Sequence, residues 1–102
     1  MIISIGTAQL GSSYGISNRS KKIRVKDFKK ILDLAYEKGI NNIDTAFKYG
    51  DAHKKLSQID IRNFKITTKV FFENSDIDLQ LVNIKKKIID FLKKNKLKYI
   101  DT

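Results

Sequence analysis

Asn41-Asn42-Ile43-Asp44-Thr45-Ala46-Phe47-Lys48-Tyr49-Gly50 places an acid, a phenol and a tight turn in one short stretch, and its reading decides the fold. Upstream, Val25, Phe28, Ile31, Leu32 and Ala35 recur at intervals of three and four, with Lys26, Lys29, Lys30 and Lys38 on the other side. This is the pattern of an amphipathic helix over 25–38. Gly39 closes it, where a positive φ is usually needed, so residues 40–44 read as a strand entered from a helix and left through a glycine-containing loop. Asp44 then stands at a strand's C-terminal end. In parallel α/β architectures reacting groups gather there, because the strand fixes the side chain while the loop leaves space for a ligand.

The same arrangement recurs downstream. Residues 64–70 form a β-rich run in which Thr67 and Thr68 precede Lys69, a second ionisable group. Adjacent parallel strands lie about 4.8 Å apart, so Asp44 and Lys69 could form a charge-assisted pair, with the Tyr49 hydroxyl folding back over them. Before the helix, Ile2, Ile3 and Ile5 predict a first strand ending near Thr7 and Ala8, followed by a loop over 11–20 rich in glycine and serine. A short helix is predicted over 52–59, with Asp51 favouring its N-terminus by capping and by the helix dipole. Asn74, Ser75, Asp76 and Asp78 are N-cap candidates for a long helix whose buried stripe is Leu81, Ile84, Ile88, Phe91 and Leu92, with cations over 93–96 at its C-terminus. A fourth strand begins at Leu97. The order is βαβαβαβ, with helical crossovers that require parallel strands. An independent doubly wound domain fits this order, and so does the first half of a (β/α)8 barrel.

At 102 residues the chain is one domain by length, 1–102, with neither cysteine nor proline. That excludes a disulfide scaffold and cysteine-based zinc or redox sites, and no metal site is expected. The N-terminus lacks a basic segment followed by a long apolar one, and no apolar run approaches the ~20 residues of a membrane span, so the expected location is cytoplasmic, without membrane partners. The formal net charge of +10 raises the alternative of a basic α/β nucleic-acid-binding domain. Placement argues against it: the lysine pairs and triplets at 21–22, 29–30, 54–55, 85–87 and 93–94 fall mostly on or beside predicted helices, as solvated surface.

The motifs, in order, resemble the N-terminal part of the aldo-keto reductases. Residues 5–11, Ile-Gly-Thr-Ala-Gln-Leu-Gly, are similar to the first barrel strand of that family. Residues 39–46, Gly-Ile-Asn-Asn-Ile-Asp-Thr-Ala, followed by Tyr49 and Gly50, are similar to its most diagnostic signature. Thr67, Thr68 and Lys69 resemble its third strand, and Tyr99, Ile100 and Asp101 the start of its fourth. The resemblance implies a partial TIM (β/α)8 barrel, an N-terminal half-barrel with parallel strands. It implies an NADP-dependent oxidoreductase reducing a small-molecule carbonyl substrate to an alcohol, with NADPH as cofactor. Tyr49 would be the proton donor, Lys69 the cation beside it and Asp44 the carboxylate orienting Lys69. Gly6, Thr7 and Ala8, with Asp44, would line the nicotinamide end. A free phenol titrates near pH 10, so an ammonium favouring the phenolate would ease the transfer.

The family's fourth catalytic residue, a histidine after the fourth strand, and its phosphate-binding loops after the seventh and eighth strands have no counterpart in 1–102. The fragment is therefore expected to be inactive alone. His53, where the family usually has glutamate, reads as a solvated surface histidine, and Ser57 stands where the family usually has glycine. The non-catalytic alternative is a half-barrel that complements a partner or self-associates through open sheet edges, which would expose unpaired backbone groups and apolar faces.

Overall fold

The computed structural model describes residues 2–12, 22–72 and 76–102. Its elements are β1 (Ser4–Gly6), α1 (Ala8–Gly11), α2 (Val25–Glu37), β2 (Asn42–Asp44), α3 (Ala52–Leu56), β3 (Lys65–Thr67) and α4 (Ile77–Asn95). The strands form one parallel sheet in the order β1-β2-β3. Residues 97–102 carry the alternation on beside β3. Thr102 donates its N–H to the Ile66 carbonyl at 3.1 Å and accepts from the Thr68 N–H at 2.9 Å, straddling Thr67 as a parallel partner does. The predicted fourth strand is thus limited to its first rung. Further back, the Ile66 N–H goes to the Asp101 carboxylate at 2.8 Å, so a side chain occupies the place of a ladder carbonyl. The architecture is a partial, open (β/α) barrel.

The sheet has two unlike faces. Ile5, Ile43 and Ile66 share one register row, and Ile43 and Ile66 are buried under the helices. With Leu10, Phe28, Leu32, Leu56, Ile59, Ile61 and Phe91 they make the core, Ile5 packing against its edge. Burying each such side chain contributes about 1.5–3 kcal/mol before chain entropy is charged against it. The flanking rows, Ser4-Asn42-Lys65 and Gly6-Asp44-Thr67, belong to the opposite face, because side chains alternate along a strand. That face is small and polar, which corrects the expectation of an apolar uncovered sheet face. Exposed apolar side chains lie elsewhere, at Ile2 and Ile3 before β1 and at Ile77, Leu79, Leu81 and Val82 on α4.

Several boundaries differ from the sequence reading. After Gly6 the chain turns into α1, with the Leu10 and Gly11 N–H groups both bonded to the Thr7 carbonyl, and Leu10 enters the core. α3 stops at Leu56, yet Ile59 and Ile61 beyond it are buried. Asp51 precedes α3 without a side-chain capping bond; its carboxylate is drawn instead to Lys55 at 3.4 Å and Lys22 at 3.9 Å. Asp76 does cap α4, accepting from the Asp78 and Leu79 N–H groups. Of the expected α4 stripe only Phe91 is fully buried, Leu81 being exposed and Ile84, Ile88 and Leu92 half-buried, because α4 joins the buried core only near its C-terminal end. Gly39 ends α2 with φ of 78°, as its type requires. The predicted loop over 11–20 and the cap candidates Asn74 and Ser75 lie largely outside the described residues.

Two glycines lock α1 to the turn after Tyr49. A Cβ at Gly11 would sit 1.5 Å from the Tyr49 carbonyl oxygen, and one at Gly50, itself at φ 53°, would sit 2.2 Å from the Gly11 oxygen. Gly11→Ala is therefore expected to cost about 1–3 kcal/mol, the scale of overpacking, read as a lower urea midpoint at unchanged slope. Gly6→Ala serves as the control. Its added methyl meets nothing within 4 Å, so the midpoint should barely move.

Candidate active site

The site forms where β2 and β3 end. Beyond the strands the backbones stay tied: Thr7 N–H to the Asp44 carbonyl at 3.1 Å, Thr45 N–H to Thr67 at 2.8 Å and Phe47 N–H to Lys69 at 3.1 Å. Beneath them the Thr7 hydroxyl donates to the Thr45 hydroxyl at 2.7 Å, both fully buried, so two polar side chains satisfy each other in the interior. A turn then reverses the chain, with the Tyr49 N–H on the Ala46 carbonyl and the Ala52 N–H on the Tyr49 carbonyl, bringing the half-buried phenol back toward the sheet.

Asp44, Tyr49 and Lys69 meet there. The Lys69 ammonium donates to Asp44 Oδ1, reaches the Thr45 carbonyl at 3.5 Å and lies 5.7 Å from the centroid of the Tyr49 ring. The hydrogen bond to Asp44 raises the Lys69 pKa; burial opposes this, and the charges of Asp44 and Tyr49 add to it. Lys69 accordingly stays cationic through neutral pH, and the stabilisation it gains from the pair would be lost only as pH rises through that elevated pKa. Both side chains are close to half exposed, so the pair contributes little net stability. Its geometric result is an ammonium held beside a phenol.

Gly6 lies opposite Asp44 in register, on the uncovered face and with open space above it. Thr7 is buried, its hydroxyl committed to Thr45, and Ala8 is half-buried at the start of α1. The described residues contain no cluster of His, Asp or Glu able to hold a metal ion, and no helix among them is long and apolar enough to cross a membrane.

Two residues near the site were assigned to solvent by the sequence reading. Lys55, which charge patterning assigns to solvent, is half-buried and donates to the Leu10 carbonyl at 2.8 Å, tying α3 to α1. His53 is no solvated surface histidine. Its ring lies 4.3 Å from Phe47 and 4.5 Å from Phe91, and burial lowers its pKa to about 4. A five-residue helix gives too short a period to reveal which of its faces is inward.

Parallel strands alternating with helices, with charged side chains at the strand ends, define an open segment of a (β/α) barrel. The chain matches the model of the aldo/keto reductase family over residues 2–102 and belongs to that family. Among solved structures it is similar to PA4992 of Pseudomonas aeruginosa, a protein assigned as an aldo-keto reductase. That likeness is at 26% identity and a TM-score of 0.73, over 95% of this chain and 39% of that one. A further Pseudomonas aeruginosa structure assigned to the same class shares the fold at 23% identity and a TM-score of 0.69, over 95% of this chain and 38% of that one. The chain thus spans about two-fifths of the length of these structures. No curated protein matches it.

The lowered His53 pKa has a sign that can be checked. The unfolded chain takes up a proton near pH 6.5 and the folded chain only near 4, so His53 contributes its full stabilisation above 6.5 and loses it as pH falls through about 4. Urea midpoints of the wild type should decline between pH 6.5 and 5, before most carboxylates titrate. Those of His53→Gln should be flatter over the same interval.

Proposed function

We propose that this chain carries the acid–base half of an NADPH-dependent carbonyl reductase site, completed by residues beyond 1–102. The carrying observation is the bonded pair of Asp44, the last residue of β2, and Lys69, just past the end of β3, with the ammonium near the ring of Tyr49 on the turn after β2. NADPH, when bound, supplies a hydride to the carbonyl carbon. As the C=O π bond breaks, the Tyr49 hydroxyl gives its proton to the oxygen, leaving an alcohol. Lys69 stabilises the phenolate left on Tyr49, and Asp44 holds Lys69 in place. Gly6, Thr7, Ala8 and Asp44 would hold the nicotinamide end.

Residues 1–102 alone are expected to show negligible NADPH oxidation with aldehydes or ketones, because the fourth catalytic group and the phosphate-binding loops of the family lie outside them. Robust turnover by the isolated chain, dependent on Tyr49, would contradict this. In a barrel completed by fusion, Tyr49→Phe should lower kcat by roughly 10²-fold or more with little change in NADPH affinity. Lys69→Met should act in the same direction, and the double variant should be far less than additive, since both serve one proton transfer. Near-normal kcat in Tyr49→Phe would place the proton donor elsewhere.

A second reading, self-association of the half-barrel, is favoured by the outer edge of β1, which pairs with no other strand among the described residues, and by Ile2 and Ile3, 83% and 51% exposed beside it. Sedimentation of the purified chain should show concentration-dependent dimers that Ile3→Lys disperses. A monomer at all concentrations would discard this reading.

A further inference from the structure

His53 touches both arms of the candidate site without belonging to it. Its ring stands edge-on to Phe47, two residues before Tyr49, and Phe47 is itself bonded through its N–H to the Lys69 carbonyl at 3.1 Å. Its Nε2 lies 3.4 Å from the Thr68 hydroxyl, one residue before Lys69, and the tautomer decides which of the two donates. Phe91 of α4, 3% exposed, closes the ring in from behind at 4.5 Å. Successive side chains of an extended segment point to opposite sides, so a grip on Thr68 orients Lys69 from the far side of the backbone. The contacts close a circuit: His53 to Phe47, Phe47 to Lys69, and Thr68 back to His53.

We propose that His53 is a positioning residue that clamps the turn bearing Tyr49 and the segment bearing Lys69 into one unit, and so sets the separation of phenol and ammonium. An imidazole suits the task because one side chain offers flat faces and edges to two aromatic rings and a nitrogen to a hydroxyl. Either neutral tautomer serves the contact to Thr68, which can donate or accept. Burial disfavours a positive charge on the ring, and Lys54 on α3 and Lys87 and Lys94 on α4 line the same groove of about 220 Å³. Asp90, the one acid among the described residues lining that groove, is bonded to Lys94 at 2.8 Å. On the other two sides, Lys69 follows Thr68 and is paired with Asp44, and Lys48 follows Phe47 with its ammonium 3.7 Å from the centroid of the Phe71 ring. Acid should therefore open the clamp.

This role rests on reading Tyr49 and Lys69 as the site, but its test needs no turnover. His53 is the sole histidine of the sequence, so its imidazole gives one set of proton signals. NMR spectra of the 1–102 chain between pH 3.5 and 7.5 should show those signals titrating near pH 4. The Phe47, Thr68 and Lys69 amides should move with the same midpoint, while Ile5 stays still. His53→Phe keeps the ring packing and removes the nitrogen facing Thr68; His53→Gln keeps a polar group and removes the ring. Amide exchange at Phe47 should accelerate on the order of tenfold in either, the scale of one lost hydrogen bond, with Ile43 and Ile66 protected as in the wild type. A midpoint near 6.5, unchanged Phe47 exchange in both variants, or equal acceleration at Ile43 and Ile66 would each overturn the proposal. If a variant fails to fold, the wild-type titration decides. Loss of the reductase reading would leave these signals as they are, and loss of the clamp would leave the Tyr49→Phe test standing.

Discussion

The register in which Ile43 sits between Ile5 and Ile66 is the constraint on which the rest depends. Side chains alternate along a strand, so a slip of one residue in β2 would turn Asp44 into the core and Ile43 out to water. The cost would be a buried unpaired carboxylate added to lost apolar burial, which makes the register close to obligatory. With the register fixed, Asp44 and the residues after Thr67 emerge at one end of the sheet. The backbone bonds from Thr45 to Thr67 and from Phe47 to Lys69 then carry the alignment past the strands proper.

The stability of the fold and the charged end of the sheet draw on different parts of this arrangement. The isoleucine row, Phe28, Leu32 and Leu56 hold the layers together, whereas the Asp44–Lys69 pair is too exposed to contribute much to folding. Its geometry is sustained by neighbours that are buried: Thr7 with Thr45 below, and Gly11 against Gly50 beside the Tyr49 turn. The aromatic wedge of Phe47, His53 and Phe91 sits between these two roles, since it is packed like core yet borders the residues that carry charge.

Much of this was legible in the sequence. The 3.6-residue period of α2, its terminal glycine and the βα alternation gave the parallel topology, and the positions of Asp44, Tyr49 and Lys69 at strand ends gave the candidate constellation. What stayed hidden depended on contacts between distant residues. Nothing local shows that the Asp101 carboxylate takes the Ile66 N–H, that Leu10 pulls the chain after β1 into a helical turn, or that Asp51 forgoes capping for Lys55. His53 was misjudged for the same reason: its partners Phe47, Thr68 and Phe91 come from three other segments.

The polar uncovered face of the sheet bears on how such a barrel is made. In any longer product that begins with this segment, ribosomes adding about 5–20 residues per second would leave it waiting roughly 8–30 s for the remaining ~150 residues of a ~250-residue barrel. A nascent half-barrel lined with leucine and valine would offer chaperones and neighbouring polysomes an adhesive trough throughout that delay. Ser4, Gly6, Asn42, Asp44, Lys65 and Thr67 instead give it a wettable one. A polar row on the open side of the sheet thus favours hydration of an unfinished translation product.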